Sequence, residues 1–578
     1  MPRSAPTADS RALADIAQRF HEHQMAADPL AATSYGLPVH RDRLPDLTSH
    51  GQARIRTQAV ALRAEAAAVD PGGLDDGERT SRTMLLQLLG HDIEEIDAGW
   101  VEFAVDAFKF GPQVAPLTVM SRAVIAEAEG AAGHLARLAG MRAYLQDALE
   151  RHRDGVARGR TPVHRGVAAA IAQSRATAAQ PPEDAPMLEP LRQLGDGAAL
   201  ETGRRLWTHA TAPAFAAYAD GLVADIAPHA RPDDRAGLCW LDGGEDLYLA
   251  RLRRFTTLSQ PDPDAIHQTG LEAIARLGEE YAEIGGRHLG VTDLATISQR
   301  LRHDPQLNYA APTEIVPHAQ HVADMAAQAI THVIGRVPTT PCVVRAIPEV
   351  EARGAAGAYY QQPAPGRPHG TYWVNTTDPA MPRYKAEATC FHETQPGHHT
   401  QLGLQVELDL PTFRRFGTIL SGFVEGWALY TERLAREIGL YSGDLGLLGM
   451  LATDSMRACR LVVDTGLHHR GWSRQQAVAF MEANSPLPQA TIQAEVDRYL
   501  VYQGQACSYM LGRLEIQRLR AEAEQRLGAP LDLRAFHDVV LAEGSVPLDV
   551  LADTVGRWIT DTEARMCGRP QGTGRADL

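Results

Sequence analysis

The sequence predicts a mainly α-helical protein with one small β-sheet placed just ahead of a histidine-rich segment. Three observations carry this expectation. Apolar residues recur at three- and four-residue steps over most of the 578 residues, with 44% hydrophobic and 22% charged content, ordinary for a globular chain. β-Branched and aromatic stretches separated by Pro- and Gly-rich turns are concentrated between Pro341 and Thr377. No run approaches the roughly 18 consecutive apolar residues that a membrane helix needs.

From Asp9 to about Arg251 the chain is rich in Ala, Leu, Arg and Glu, broken by proline-bearing loops at Arg41–Thr48 and Gln180–Pro190, and residues 1–251 are read as a helical half. Residues 252–566 form the second half. It opens with a helix over Pro263–Gly286, because Asp262 can cap it and Pro263 suits the first helical position. The strands expected within 341–377 are Cys342–Ile347, Ala358–Gln361 and Thr371–Asn375. Helix returns from Tyr384 to Arg565, and 567–578 reads as a flexible tail.

Composition excludes several functions. Fifty-six Lys+Arg against 71 Asp+Glu give a net charge of −15, which repels phosphate backbones and anionic lipid, so neither nucleic acid nor a membrane is expected as partner. Almost all the basic residues are Arg, the lysines being Lys109 and Lys385. The first 25 residues carry no basic segment followed by an apolar stretch, and the expected location is the cytoplasm. Six scattered cysteines, without C-x-x-C spacing, encode neither a disulfide framework nor a thiolate zinc site. There is no P-loop and no G-x-S-x-G nucleophile elbow.

The chemistry concentrates in His392-Glu393-Thr394-Gln395-Pro396-Gly397-His398-His399. Three histidines stand in a window of eight where this composition predicts about 0.3. Zinc takes neutral imidazoles and a carboxylate, and an unligated Glu nearby can accept a proton from water. The H-E-x-x-H spacing is broken, because the i+4 position is Pro396, which cannot ligate. If two residues of Thr394–Gly397 bulge out, His398 regains the lost phase. His399 would face the right way in a regular helix, but seven residues rise about 10.5 Å, too far for two nitrogens to share one ion. His398 is therefore preferred as the ligand, with His399 supporting it.

A third ligand must come from another element. Apolar residues from Phe416 to Ile438 repeat with helical spacing, and Gly439 suits the stop. Glu425 and Glu432 lie on the opposite face, where periodicity by itself reads them as solvated. Gly422 and Gly426 beside Glu425 would let a second helix approach closely enough to share an ion. Periodicity leaves the role of Glu425 open.

His392–His399 with Gln401, the segment Gly422–Tyr430, Val463-Asp464-Thr465-Gly466-Leu467-His468, Arg498-Tyr499, and Gly504-Gln505-Ala506 through Ser508-Tyr509 resemble the bacterial domain-of-unknown-function 885 family, from about Asp28-Pro29 to Pro547-Leu548. One departure is Gln503, where the family pattern has Pro. The resemblance implies a large helical metallopeptidase-like body with a central cleft, related to gluzincins that take two His and a Glu as zinc ligands. By that resemblance His392, His398 and Glu425 hold the zinc and Glu393 is the general base. Tyr509, His468 and Arg498, in matching segments, are candidate donors to the oxyanion; Arg498 can instead pair with Glu495 or Asp497. Glu407 and Asp409 are candidate supports for a ligating His. In peptidases of this clan an edge strand pairs with substrate backbone, which Gly370–Asn375 or Ala358–Tyr360 can supply.

The expected function is a zinc-dependent hydrolase of peptide bonds in short peptides. The alternatives are a metal-dependent amidohydrolase acting on a small-molecule amide in a biosynthetic pathway, and a non-catalytic helical binding scaffold.

Overall fold

Helices account for nearly all the regular structure in the computed structural model, which describes residues 7–348, 357–364, 367–377, 382–417, 419–528 and 531–567. The tail expected over 567–578 lies outside the described residues apart from the last helical residue, Cys567. Side-chain caps set many of the helix starts. Thr7 accepts from the Ser10 N–H, Thr48 from that of Gly51, and Asp75 with Glu78 forms a capping box, starting the helices Ala8–Ala27, Ser49–Ala68 and Asp76–Asp97. Their apolar faces share one core with the end of the chain, where Phe20 and Leu85 pack in the same cluster as Trp427, Tyr430 and Leu551. Residues 105–226 build a separate core around Met141, Leu145, Trp207 and Phe215.

Seven helices concern the site: α1 (Pro263–Leu289), α2 (Ala386–Glu393), α3 (His398–Glu407), α4 (Ser421–Glu437), α5 (Asp444–His468), α6 (Gln489–Val501) and α7 (Gln505–Leu527). The Asp262 carboxylate caps α1 as expected, accepting from the Asp264 and Ala265 N–H groups. The helix overruns Gly286 and ends where Gly290 turns left-handed at φ 69°. By contrast, α4 starts later than its periodicity suggests. A short helix ends at Phe416 and the chain breaks at Gly417, where an added Cβ would lie 2.0 Å from the Phe413 carbonyl oxygen. Gly439, at φ 73°, stands just past the end of α4.

The glycines of α4 do bring a second helix close, and that helix is α7. A Cβ on Gly512 would lie 1.9 Å from the Gly422 carbonyl oxygen, and one on Gly426 would lie 2.5 Å from the Gly512 Cα. Two backbones in contact leave room for no side chain between them. This crossing sets Tyr509 of α7 near Glu425 of α4.

Three strands, β1 (Cys342–Ala346), β2 (Ala358–Gln361) and β3 (Gly370–Val374), form one sheet in the order β1-β3-β2. β3 runs parallel to β1 and antiparallel to β2. Gly370–Asn375 therefore cannot offer a free edge, because β3 is hydrogen-bonded on both sides; β2 is an edge strand and packs near α2. No described helix is long and apolar enough to cross a membrane.

Candidate metal centre

The H-E-x-x-H phase is restored by a break in the helix rather than by a bulge within it. α2 stops at Glu393, four residues turn the chain, and α3 begins at His398. Each part of the turn is held. Thr394 donates from N–H and hydroxyl to the Cys390 carbonyl (2.8 and 2.6 Å), the His399 N–H donates to the Thr394 carbonyl (3.1 Å), and the buried Trp427 indole donates to the Pro396 carbonyl (3.0 Å). Gly397 is required sterically, since a Cβ there would sit 2.0 Å from the His392 carbonyl oxygen. The turn thus folds back over the last residues of α2 and points His398 at His392.

The two imidazole rings stand 4.7 Å apart at 81°. Each Nε2 lies 3.5 Å from Glu425 Oε2, and ligand atoms of His392, His398 and Glu425 all fall within 4.8 Å of one another. His399 is not part of this group. It is buried, its Nδ1 lies 2.9 Å from the Tyr360 hydroxyl of β2, and burial lowers its pKa to about 4. Rather than supporting His398 directly, it ties the sheet edge to α3.

Buried partners orient these side chains. The His392 Nδ1–H donates to Glu432 Oε1 (2.9 Å), and the Thr453 hydroxyl of α5 donates to the other oxygen of this fully buried carboxylate. The His392 Nε2 is thereby aimed at Glu425, the arrangement in which a carboxylate fixes a metal-binding imidazole. Gln401 holds His398: its Nε2 donates to the Val424 carbonyl (2.7 Å) and to His398 Nδ1 (2.9 Å). With Nδ1 accepting from the amide, a cation can take His398 Nε2 only when the ring proton sits on Nδ1 and the Gln401 amide turns so that its oxygen accepts it. Glu407, expected as a support for a ligating histidine, instead accepts from the backbone N–H groups of Thr339 and Thr340 ahead of β1.

The electrostatics of the group demand positive charge at its centre. Burial pushes the Glu425 carboxyl up, but His392 and His398 outweigh it and hold Glu425 well below the usual carboxylate range. Burial likewise opposes charge on His392, yet Glu425 and Glu432 raise its pKa to about 9. With protein charges alone, an imidazolium bridges two carboxylates, and a divalent cation can replace its Nε2 proton. Two imidazole nitrogens and a carboxylate oxygen are the donor set of a catalytic zinc site with a position left for water. The residues fit the ion.

Glu393, the last residue of α2, is half-buried and makes no hydrogen bond among the described residues. Tyr509 lies nearly parallel to the His392 ring at 6.4 Å, with the Arg460 guanidinium 4.4 Å and that of Arg457 5.6 Å from its centroid. Of the three candidate donors, it is the one whose ring stacks on a histidine of the cluster. Arg498 takes the pairing noted as its alternative, donating to Glu495 (3.3 Å) and to Gln505 (2.9 Å). His468 must be reassigned. It is fully buried, its Nδ1 accepts from the Leu238 N–H (3.1 Å), its Nε2 donates to the Tyr499 carbonyl (3.0 Å), and burial lowers its pKa to about 3. A neutral imidazole with both nitrogens engaged is a core residue.

The sequence assigns no site role to Arg457, Arg460 or Lys385, and it reads Glu432, two helical turns from Glu425 on the same face, as solvated. Glu432→Gln is expected to lower metal affinity about 10–100-fold while the chain stays folded. Chelator competition on the purified variant measures this, and unchanged affinity would remove Glu432 from the support of His392.

The fold and cluster together define a largely helical protein with one three-stranded sheet and a buried pair of histidines facing a glutamate. The chain belongs to the family described as bacterial protein of unknown function (DUF885), whose match spans residues 29–555. Among solved structures it is similar to a candidate lipoprotein from Colwellia psychrerythraea, 25% identical, with a TM-score of 0.89 over 96% of this chain and 100% of that one. It is also similar in fold to a candidate lipoprotein of unknown function from Shewanella oneidensis, 20% identical, with a TM-score of 0.74 over 94% of this chain and 99% of that one. No curated protein matches the sequence.

Proposed function

We propose that this protein is a metal-dependent hydrolase that cuts the peptide bond of short peptides, with zinc held by His392, His398 and Glu425. The observation that carries this reading is the convergence of those three side chains, with a free carboxylate, Glu393, at the end of the same helix. When bound, zinc supplies the Lewis acidity that brings the pKa of a coordinated water toward about 7.

The remaining roles belong to the chain. Glu393 accepts the proton of the attacking water and returns it to the leaving nitrogen, a task suited to a carboxylate with no other hydrogen bond. Tyr509 donates its O–H to the oxygen on which negative charge develops. Burial and the nearby Glu425 raise the Tyr509 pKa, so it remains a donor at neutral pH. β2, an edge strand tied to α3 through Tyr360 and His399, offers backbone groups to an extended substrate.

The test compares unblocked tri- to pentapeptides with N-acyl amines of similar size, using metal-loaded and chelator-treated protein. Cleavage of the peptides, lost with chelator and regained with zinc, is the expected result. Turnover of the acyl amines alone would transfer the same chemistry to a small-molecule amide. A protein that cuts neither group, with zinc bound, would be a binding scaffold.

A further inference from the structure

We propose that Arg457 and Lys385 form a carboxylate-binding pocket beside the metal cluster, so that the substrate carries a carboxylate one or two residues from the bond that is cut. The claim rests on the hydrolase reading above and adds the class of substrate to it.

Four cations meet here from three elements: Lys385 in the turn before α2, Arg457 and Arg460 three residues apart on α5, and Arg498 on α6. Among the described residues one carboxylate, Glu495, ion-pairs with them. It takes Arg460 (2.7 Å) and Arg498 (3.3 Å). Arg457 is left without an acid. It is only 9% exposed, its one hydrogen bond is a 3.4 Å contact to the Thr453 carbonyl, and its Nε has no partner among the described residues. The Lys385 ammonium, half-buried, makes neither a hydrogen bond nor an ion pair there.

The two uncompensated cations are held together by backbone packing. A Cβ on Gly449 would lie 1.9 Å from the Tyr384 carbonyl oxygen, so the turn carrying Lys385 rests directly on α5, about two turns ahead of Arg457. Burial first, then the Arg457 charge, depresses the Lys385 pKa to about 8, while Glu495 and Glu432 pull the other way. Buried like charges without a counterion are costly, and an anion between them removes the cost. A guanidinium and an ammonium together suit a carboxylate, the first as a fork and the second as a point charge.

Position relates the pocket to the chemistry. The Arg457 guanidinium lies 5.6 Å from the Tyr509 ring, which lies 6.4 Å from the His392 ring. An extended peptide advances about 3.3–3.6 Å per residue. These two separations set an upper bound on the span from the guanidinium to the cluster, and within it the carboxylate of the next residue or the one after can reach Arg457 when a carbonyl is presented to the cluster. That carboxylate can be a free C-terminus or an acidic side chain.

The test measures binding and turnover separately. Zinc-loaded Glu393→Gln protein is titrated calorimetrically with an acetylated tripeptide as free acid, the same peptide as C-terminal amide, and an amide containing one Asp. The free acid or the Asp peptide is expected to bind at least about tenfold tighter than the plain amide. Adding Arg457→Ala or Lys385→Met should bring that ratio close to one. Lys385→Met guards against misfolding, because the ammonium it removes makes no hydrogen bond, and its melting curve is compared with the parent. Preference for the free acid assigns the pocket to a terminus; preference for Asp assigns it to a side chain. Equal binding of all three, or a preference that survives both substitutions, overturns the pocket. Turnover by the unsubstituted chain then separates the two readings. Cleavage of all three peptides at equal kcat/KM keeps the hydrolase and discards the pocket, while carboxylate binding lost in the variants without cleavage of any peptide keeps the pocket and discards the hydrolase.

Discussion

Glu393→Gln is expected to keep the metal and lose turnover by a factor on the order of 10²–10⁴. The substitution is nearly isosteric and removes only the capacity to hold a proton. Glu393 lies outside the trio whose ligand atoms converge, and it makes no hydrogen bond among the described residues, so its amide should disturb neither α2 nor the turn after it. Loss of activity with full zinc content and an unchanged melting temperature would identify proton transfer as the missing step. Retained turnover would remove Glu393 as the base. A scaffold that only binds would be indifferent to the change.

Much of the local architecture was legible because it is written in local chemistry. Asp262 followed by Pro263 marks a helix start without reference to anything distant, and Gly439 marks a stop for the same reason. The β-branched stretches between 341 and 377 likewise became three strands in one sheet. Their order could not be read, because pairing β1 with β3 and leaving β2 at an edge depends on contacts across residues 342–374 rather than on any strand's own residues. The late start of α4 was hidden by apolar spacing that continues through a glycine turn.

The same division applies to the site. The crowding of histidines around Glu393 is a property of eight consecutive residues, and the need for an irregularity at Pro396-Gly397 follows from proline's missing N–H. What form the irregularity takes depends on Trp427, thirty-one residues away, whose indole holds the Pro396 carbonyl. Glu432 shows the reverse case. On its own helix it falls on the polar face, which periodicity assigns to solvent; α2 and α5 cover that face with His392 and Thr453, turning a carboxylate read as exposed into a fully buried support. The segment that holds His468 matches a family pattern, but a matching segment can serve the core as well as a site, and His468 serves the core.

His392→Ala is expected to take zinc content from about one ion per chain to nearly none, because the ion would keep two of three protein ligands and lose the imidazole that Glu432 aims. The same change removes the hydrogen-bond donor from a buried carboxylate that would retain only Thr453, so stability should fall too; breaking a buried charge pair from one side costs about 3–5 kcal/mol. A drop in zinc could then reflect a loosened fold, and pH separates the causes. In the parent chain the His392 pKa stands at about 9 without the ion, so at neutral pH a cation must displace one proton from that ring. Apparent zinc affinity, measured by chelator competition at pH 6, 7 and 8, is therefore expected to rise about tenfold per unit for that proton. Affinity independent of pH, or zinc retained by folded His392→Ala protein, would mean that the ion is held elsewhere and that His392 and Glu425 form a salt bridge rather than a metal site.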